Sequence, residues 1–387
     1  MDSIAITSRR SFLALGLAGL VHAEAQAESE PAARRAERFV DDLLAAQPVP
    51  GLALAVMRDG QPVFTRCWGR AGPGEAGAID EDTRFCLGSL SKPFLGQLVL
   101  MLAQDGRLRL DDPIQRHLGP LPPHWRGITV RQLLNGTSGL RSLGDPTQPD
   151  DMMFDPGLRQ QIQARGGAAF TEAEQLAAFQ AFPLHAAPGQ GFLYSNAGFN
   201  LAAMLVGRVV GGSYRDLMRQ RIFEPLGMTS ARFMAADAGF ADMAAPCRVQ
   251  ADGRVEEVSA QLPPFMKAFY ADGCGGIQLS LRDLMCWDAG LSRSRAALSP
   301  LWDRPVRMDK GVGEDGQPLR YGLGWIVSRA AWGAPKVGHG GFIPGYRSSY
   351  ARYLGAPSWS VAVLTNQTAV DPDPIASTVA GLFARAA

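Results

Sequence analysis

The stretch "CLGSLSKPFLG" at residues 86–96 places a serine and a lysine three positions apart, Ser89 and Lys92. Only four of the 38 basic residues in the chain are lysines, and the others are arginines. Burial can bring the pKa of a lysine near neutrality, whereas an arginine keeps its charge in a protein. On one face of a helix, Lys92 would stand one turn behind Ser89 and could take the proton of its hydroxyl. The pattern indicates a serine nucleophile with a lysine base.

The same spacing has a purely structural interpretation. Ser89 could cap the helix that follows, and Lys92 could be a solvated side chain. A chance S-x-x-K in a chain with four lysines has odds on the order of one in four. Pro93 fits both interpretations, because a missing N–H costs little in the first turn of a helix. The motif alone is weak evidence for catalysis.

Two further stretches carry groups suited to the same chemistry. "FLYSNAGFN" contains Tyr194 and Asn196, and "VGHGGFIPGY" contains His339, Gly340 and Gly341. A tyrosine close to the lysine could relay a proton toward the leaving group. An asparagine amide can hydrogen-bond both a lysine and a substrate carbonyl.

The H-G-G stretch is expected to lie on a strand. Two glycines there let a substrate backbone approach the sheet edge closely. The backbone N–H of Phe342 could then pair with that of Ser89 as an oxyanion hole. Taken singly, Tyr194 is better explained as a half-buried core tyrosine, and His339 as a structural histidine with its hydrogen bonds satisfied.

The elements that position these residues form an α+β pattern. An amphipathic helix is expected around 36–47, a hairpin turning at Asp59-Gly60, and a helix from Ser89 to about Gln104. Strands are expected in the C-terminal third at 321–328, 336–341, 346–354 and 359–367, followed by a final helix. Strands at both ends around a helical middle predict one antiparallel sheet flanked by helices, with a mostly helical lobe inserted. The cleft between lobe and sheet is the natural place for a site.

In order and context the three motifs resemble those of the serine β-lactamase-like family. This family includes class C β-lactamases, D-alanyl-D-alanine carboxypeptidases, D-aminopeptidases and β-lactamase-fold esterases. Further stretches that carry the resemblance are "DGRLRLDDPIQRHLG" (105–119), "ITVRQLLNGTSGL" (128–140), "EPLGMTSARF" (224–233) and "YGLGWIV" (321–327). The resemblance implies a β-lactamase/transpeptidase-like fold and an acyl-enzyme mechanism. It implies Ser89 as nucleophile, Lys92 and Tyr194 as the proton-transfer pair, and Asn196 and the H-G-G strand as substrate contacts.

The chain departs from the family pattern at two places. The third motif of true β-lactamases is usually K-T-G, and here it is His339-Gly340-Gly341. The replacement removes a fixed positive charge and a hydroxyl, both suited to holding a substrate carboxylate. We therefore expect poor β-lactam hydrolysis. Gly136 stands where the family usually has a histidine, so that loop receives no predicted role.

Composition excludes several classes of function. The 387-residue chain has 38 basic and 37 acidic residues, which gives no field that would favour nucleic acid or an anionic membrane as a partner. The five cysteines include no C-x-x-C pair and are expected to be small buried hydrophobes, with one disulfide left open. The histidines have no zinc-ligand spacing. We expect neither a metal nor a cofactor, a small-molecule or peptide acyl substrate, and leave the oligomeric state open.

The first 27 residues are expected to be a signal peptide. "SRRSFLA" (8–14) is a twin-arginine pattern, and it precedes a short apolar stretch with small-residue cleavage candidates. The apolar stretch is about half the roughly 20 residues of a spanning helix. The expectation is a periplasmic or secreted protein with no membrane span in the mature chain. Residues 28–387 would then form one domain, with its sheet core from about 28–110 and 271–387 and its lobe about 111–270.

The leading hypothesis is an exported serine hydrolase that cleaves an ester, an amide or a D-amino-acid peptide. The alternatives are a penicillin-binding-like sensor that is acylated without turnover, and a true class C-like β-lactamase. A Ser-His-Asp α/β-hydrolase is disfavoured, because the sequence has no G-x-S-x-G elbow and no alternating β/α pattern.

Overall fold

The computed structural model describes residues 30–386, apart from 145–147, 149, 167, 235–242, 259–268 and 270–272. The expected signal peptide at 1–27 and the expected lobe boundary at 270 lie outside the described residues. Within the described ranges, no helix is long and apolar enough to cross a membrane. The five cysteines all lie within these ranges, and each is a free thiol.

The described helices fall into two groups, those that flank the large sheet and those of the middle of the chain. The α-helices are α1 (Ala32–Ala46), α2 (Lys92–Gln104), α3 (Gln115–Leu118), α4 (Val130–Leu134), α5 (Pro156–Ala164), α6 (Glu172–Gln180), α7 (Asn196–Val210), α8 (Tyr214–Met218), α9 (Leu281–Arg293), α10 (Arg295–Leu298) and α11 (Pro372–Ala384). Short 3₁₀ turns span Gly88–Ser91, Pro123–Trp125, Met152–Phe154 and Ser299–Leu301, and a π-helical turn spans Arg219–Phe223.

Thirteen described strands form three sheets. They are β1 (Gly51–Arg58), β2 (Gln61–Gly69), β3 (Arg84–Cys86), β4 (Arg232–Phe233), β5 (Cys247–Val249), β6 (Val255–Glu257), β7 (Ile277–Ser280), β8 (Val306–Val312), β9 (Pro318–Tyr321), β10 (Ile326–Arg329), β11 (Pro335–Ile343), β12 (Tyr346–Tyr353) and β13 (Trp359–Thr365). The large sheet is antiparallel and has the order β2-β1-β13-β12-β11-β10-β9-β8. β3, β7 and β4 form a three-stranded sheet, and β5 and β6 pair with each other.

The large sheet is buried on both faces near its centre, which β1 shows most clearly. Every residue of "GLALAVM" (51–57) is buried. Because side chains alternate between faces, Leu52, Leu54 and Val56 pack against α1 and α11, while the residues between them face the larger core on the other side, where α9 packs against β1. A strand with two buried faces reads as a continuous apolar run. The sheet therefore stands between the layer formed by α1 and α11 and the larger core that contains α9.

The expected fold class is confirmed. The sheet joins strands from the two ends of the chain, and β1 pairs directly with β13. The hairpin turns at Asp59 and Gly60, which both have positive φ, as a tight hairpin turn requires.

The expectation of one strand at 321–328 is wrong. Gly322–Trp325 forms a tight loop between β9 and β10, and β8 was not foreseen. A Cβ on Gly322 would come within 2.2 Å of the Leu301 carbonyl oxygen, and one on Gly324 within 2.7 Å of the Lys92 carbonyl oxygen. Gly322 lets the loop pass against the 3₁₀ turn Ser299–Leu301, and Gly324 lets it pass over the start of α2.

Candidate active site

The serine and the lysine lie at the junction of two kinds of helix. The chain enters through the 3₁₀ turn Gly88–Ser91, and the α-helix begins at Lys92 rather than at Ser89. A 3₁₀ turn has three residues per turn, so residues i and i+3 eclipse. Lys92 is thereby placed over Ser89, and its Nζ lies 2.9 Å from the Ser89 Oγ. The local geometry brings together the pair that the S-x-x-K spacing predicts.

The Lys92 amine is fully buried. It donates a second hydrogen bond, of 2.6 Å, to the carbonyl oxygen of Cys274. It also lies 4.8 Å from the ring centroid of Tyr194 and 5.4 Å from that of Phe199. Burial disfavours the charged ammonium and lowers the pKa of Lys92 to about 8. An amine with this pKa can accept a proton from Ser89 close to neutral pH.

Tyr194 stands two residues before α7 and is half-buried. Ser195, between them, caps the helix by accepting a hydrogen bond from the Gly198 backbone N–H. This cap fixes the direction in which the chain enters α7, and it leaves the ring of Tyr194 beside the lysine. Tyr194 and Ser89 line the same cavity.

Asn196 makes a different contact from the expected one to the lysine. Its Nδ2 donates a 2.9 Å hydrogen bond to the carbonyl oxygen of Leu143. Its Oδ1 is buried and accepts no hydrogen bond from the described residues. The carbonyl of Cys274 takes the second lysine hydrogen bond instead. A direct role for Asn196 toward substrate stays a prediction.

The nucleophile turn packs against β11 through glycines. A Cβ on Gly88, whose φ is +54°, would come within 2.8 Å of the Phe342 backbone nitrogen, and one on Gly341 within 1.8 Å of the Leu87 carbonyl oxygen. Ser348 Oγ donates a 2.7 Å hydrogen bond to that same carbonyl. The turn is thus held against the sheet at van der Waals distance. Only glycine fits at these two positions.

The strand edge beside the serine is open. β10 pairs with β11 only as far as Gly338, and no described strand continues that pairing along 339–343. This free edge lines a cavity of about 260 Å³ together with Ser89 and Tyr194. The site residues on that strand, His339, Gly340, Gly341 and Phe342, all belong to the cavity wall. Backbone groups of such an edge can bind an extended substrate.

Charge on the far wall of the cavity comes from a β12 residue and the start of α11. Arg347 forms an ion pair with Asp371 at 3.2 Å, and Asp373 lies nearby. A Cβ on Gly340 would lie 3.2 Å from a carboxylate oxygen of Asp373. The cavity therefore holds one neutralised arginine and a further carboxylate.

His339 is uncharged in this site. Burial and the neighbouring charge of Lys92 lower its pKa to about 3. Its ring centroid lies 6.2 Å from that of Tyr194. The third motif therefore contributes no positive charge where β-lactamases usually carry a lysine.

Three contributors were missed from the sequence. Tyr321 is buried and contacts both Tyr194 and His339. The stretch "YGLGWIV" that begins at Tyr321 was the available signal. The Cys274 carbonyl is a backbone group, so its side chain gives no signal, and Phe199 resembles any apolar residue of a helix.

The chain is similar in sequence to proteins of known family. The family model described as Beta-lactamase matches residues 36–384. Penicillin-binding protein 4* of Bacillus subtilis (strain 168) is 27% identical over 76% of this chain and 63% of its own length. D-aminopeptidase of Brucella anthropi is 28% identical over 80% of this chain and 55% of its own length. The chain thus spans somewhat over half the length of these curated relatives.

Solved structures show the same fold. The D-stereospecific amidohydrolase from Streptomyces sp. has a TM-score of 0.64 at 27% identity, covering 84% of this chain and 92% of its own. The D-amino acid amidase from Ochrobactrum anthropi SV3 has a TM-score of 0.71 at 24% identity, covering 91% of this chain and 97% of its own. Nearly the whole described chain takes part in these matches. The chain belongs to the Beta-lactamase family, and its fold is that of these solved structures.

Proposed function

We propose that this chain forms an acyl-enzyme on Ser89 and hydrolyses it. The observation that carries the proposal is the 2.9 Å contact between Ser89 Oγ and a buried amine whose pKa is about 8. A serine hydroxyl needs an adjacent base to act as a nucleophile. The open edge of β11 supplies the surface on which a substrate would lie.

In acylation, Ser89 Oγ attacks the substrate carbonyl carbon while Lys92 takes the hydroxyl proton. The carbonyl oxygen becomes an oxyanion. When it collapses, the bond to the leaving amine or alcohol breaks and the leaving group takes up a proton. We assign the transfer of that proton from the lysine to Tyr194, whose ring lies beside the lysine. Water then attacks the acyl-enzyme ester and gives its proton to the same pair, which passes it to Ser89 Oγ as the bond to the acyl group breaks and the acid leaves. Neither half of the cycle needs a cofactor.

The oxyanion would be held by two backbone N–H groups, those of Ser89 and Phe342. The support is the close packing of the Gly88 turn on β11, where a Cβ on Gly88 would come within 2.8 Å of the Phe342 nitrogen. Donors fixed in place before the reaction stabilise developing charge without reorganisation. Loss of one such donor typically lowers kcat by about 100- to 1,000-fold.

The substrate class that fits best is an amide or short peptide with a D-amino acid at the cleaved bond. Relatives named D-aminopeptidase and D-stereospecific amidohydrolase, each above 25% identity, support this choice. The uncharged His339 and the ion-paired Arg347 leave no free cation on the cavity wall among the described residues. A β-lactam carboxylate would therefore lack a charged partner.

Penicillin-binding protein 4* as a relative favours a second candidate, a protein acylated by penicillin without turnover. The two functions differ in deacylation. The sensor would be labelled stoichiometrically by fluorescent penicillin and would release no product. The hydrolase would turn over and would show little labelling.

The test is a substrate panel on the parent and on Ser89→Ala. It compares D- and L-alanine p-nitroanilide, a D-alanyl dipeptide, p-nitrophenyl acetate and nitrocefin. We expect turnover of the D-alanyl compounds above that of the L-isomer, weak nitrocefin hydrolysis, and loss of several orders of magnitude in Ser89→Ala. Equal rates for the parent and Ser89→Ala would refute the assignment of Ser89 as the nucleophile. A preference for nitrocefin would refute the substrate class alone.

We also propose export through the twin-arginine route, supported by "SRRSFLA" at residues 8–14. Replacing Arg9 and Arg10 by lysine in the full chain should leave the protein in the cytoplasmic fraction of a bacterial host. The parent chain should appear in the periplasm. Equal periplasmic yields of the two chains would refute this route.

A further inference from the structure

His339 on the cavity wall forms a hydrogen-bonded pair with Tyr321 behind it. The Tyr321 hydroxyl lies 2.9 Å from His339 Nε2, and His339 Nδ1 lies 2.5 Å from the Gly340 carbonyl oxygen. Tyr321 is 1% exposed, and the histidine is also buried. Both side chains are buried, so the direction of each hydrogen bond follows from the donor and acceptor groups themselves.

The directions fix the tautomer of the histidine. The Gly340 carbonyl can only accept, so Nδ1 must carry the hydrogen. Burial and Lys92 keep the ring neutral by lowering the His339 pKa to about 3, and a neutral imidazole has one N–H. Nε2 is then an acceptor, and the Tyr321 hydroxyl is its donor.

The position of Tyr321 links this pair to the catalytic tyrosine. It is the last residue of β9, directly before the glycine loop that passes over the start of α2. Its ring meets that of Tyr194 edge to face, with centroids 6.0 Å apart. The Tyr321 side chain therefore contacts Tyr194 through its ring and His339 on strand β11 through its hydroxyl.

We propose that Tyr321 is a positioning residue, whose hydroxyl holds His339 as the Nδ1–H tautomer and thereby fixes the His339-Gly340 edge of β11 beside Ser89. This inference rests on the proposed hydrolase function. Without the donor, Nε2 becomes a buried acceptor with no partner, and the ring must turn, change tautomer or take up a proton. Protonation at Nε2 keeps the contact to the Gly340 carbonyl and places a charge in the buried site, whereas turning of the ring or a change of tautomer releases that contact. The strand edge then loses its fixed orientation.

The first test needs no activity. The chain has five histidines, so ¹⁵N spectra of histidine-labelled protein are simple, and His339→Gln assigns the signal of interest. In the parent, His339 should show the neutral Nδ1–H pattern. In Tyr321→Phe that pattern should disappear or mix with the other forms. A parent signal of the Nε2–H tautomer or of the imidazolium would overturn the proposal.

The second test is a double-mutant cycle on D-alanine p-nitroanilide, or on p-nitrophenyl acetate if the amide is not cleaved. Tyr321→Phe should lower kcat/KM about 10-fold, the range typical for a buried acceptor left unpaired. Combined with His339→Ala, it should add little to the loss from His339→Ala alone, because Tyr321 acts through the histidine. Tyr353→Phe is the matched control, since its hydroxyl makes a 3.5 Å contact to Ser377 outside the cavity.

The outcomes separate this inference from the proposed function. Losses that multiply, or a parental rate in Tyr321→Phe, would overturn the role of Tyr321 while Ser89 keeps its own. A parent without any hydrolysis would contradict the proposed function, and the ¹⁵N spectra would still decide the tautomer. Thermal unfolding of each variant shows whether a lost rate reflects a lost fold.

Discussion

Replacing Lys92 by methionine tests whether burial lowers the pKa of the Lys92 amine. Methionine has a similar length and carries no charge. The pKa of Lys92 is about 8 in the fold against 10.5 for an ordinary lysine, and burial is the cause. Between these two values the unfolded chain binds more protons than the folded chain. The parent must therefore gain stability relative to Lys92→Met as the pH rises through this window.

The magnitude follows from the size of the shift. Each unit of pKa difference corresponds to about 1.4 kcal/mol, so the full gain is about 3 kcal/mol by the upper end of the window. At about pH 9.5 it has reached about 2 kcal/mol, and at about pH 7 it is close to zero. Well below pH 8 both the folded and the unfolded parent carry the charge. The difference in free energy of unfolding between parent and variant then no longer changes with pH.

The assay is guanidinium chloride unfolding followed by tryptophan fluorescence, which the seven tryptophans of the chain make sensitive. Free energies of unfolding are compared for the parent and Lys92→Met at about pH 7 and about pH 9.5. Lys310→Met, which removes an exposed lysine, controls for the loss of one positive charge. A difference between parent and Lys92→Met that changes by less than about 0.5 kcal/mol would refute the depressed pKa.

Three further predictions concern activity. The Lys92→Arg variant should retain less than about 1% of the parental kcat, because arginine keeps its proton. Steady-state kinetics at saturating ester measure this residual activity. For the parent, kcat/KM should rise with pH and level off above about 8, where Lys92 is deprotonated; a flat profile from acid to neutral pH would exclude the lysine as base. Gly341→Ala places a Cβ 1.8 Å from the Leu87 carbonyl oxygen, so the nucleophile turn must shift and kcat/KM should fall at least about 100-fold. Gly77→Ala, where a Cβ meets nothing within 4 Å, should keep the parental rate, and equal losses in both would remove the steric explanation.

The fold class could be predicted because its signals are local. The apolar run of β1, the Asp59-Gly60 turn and the strands around the H-G-G motif each follow from side-chain pattern and turn chemistry. The break between strands at Gly322–Trp325 could not be predicted, because it is caused by the close approach of the Leu301 and Lys92 carbonyl groups, which are remote from this loop in sequence. The pattern of β-type residues on both sides looks continuous in sequence.

The candidate site divides in the same way. The Ser89–Lys92 contact was predictable, because both residues lie in one turn of chain. The hydrogen bond from Asn196 to Leu143 was not, because it depends on how two parts of the lobe fold together. The Cys274 carbonyl and the Tyr321 hydroxyl reach the site across 182 and 18 positions of sequence, to Lys92 and His339 respectively. The Cys274 carbonyl carries no motif of its own, and the stretch "YGLGWIV" marks Tyr321 without showing its partner.

The most direct measurement is peptide mapping by mass spectrometry after treatment with a fluorophosphonate probe. We expect one adduct per chain, on the peptide that contains Ser89, formed faster as the pH rises toward 8 and absent in Lys92→Arg. A folded protein that takes up no probe, or takes it up at another residue, would contradict the claim that the buried amine activates this serine.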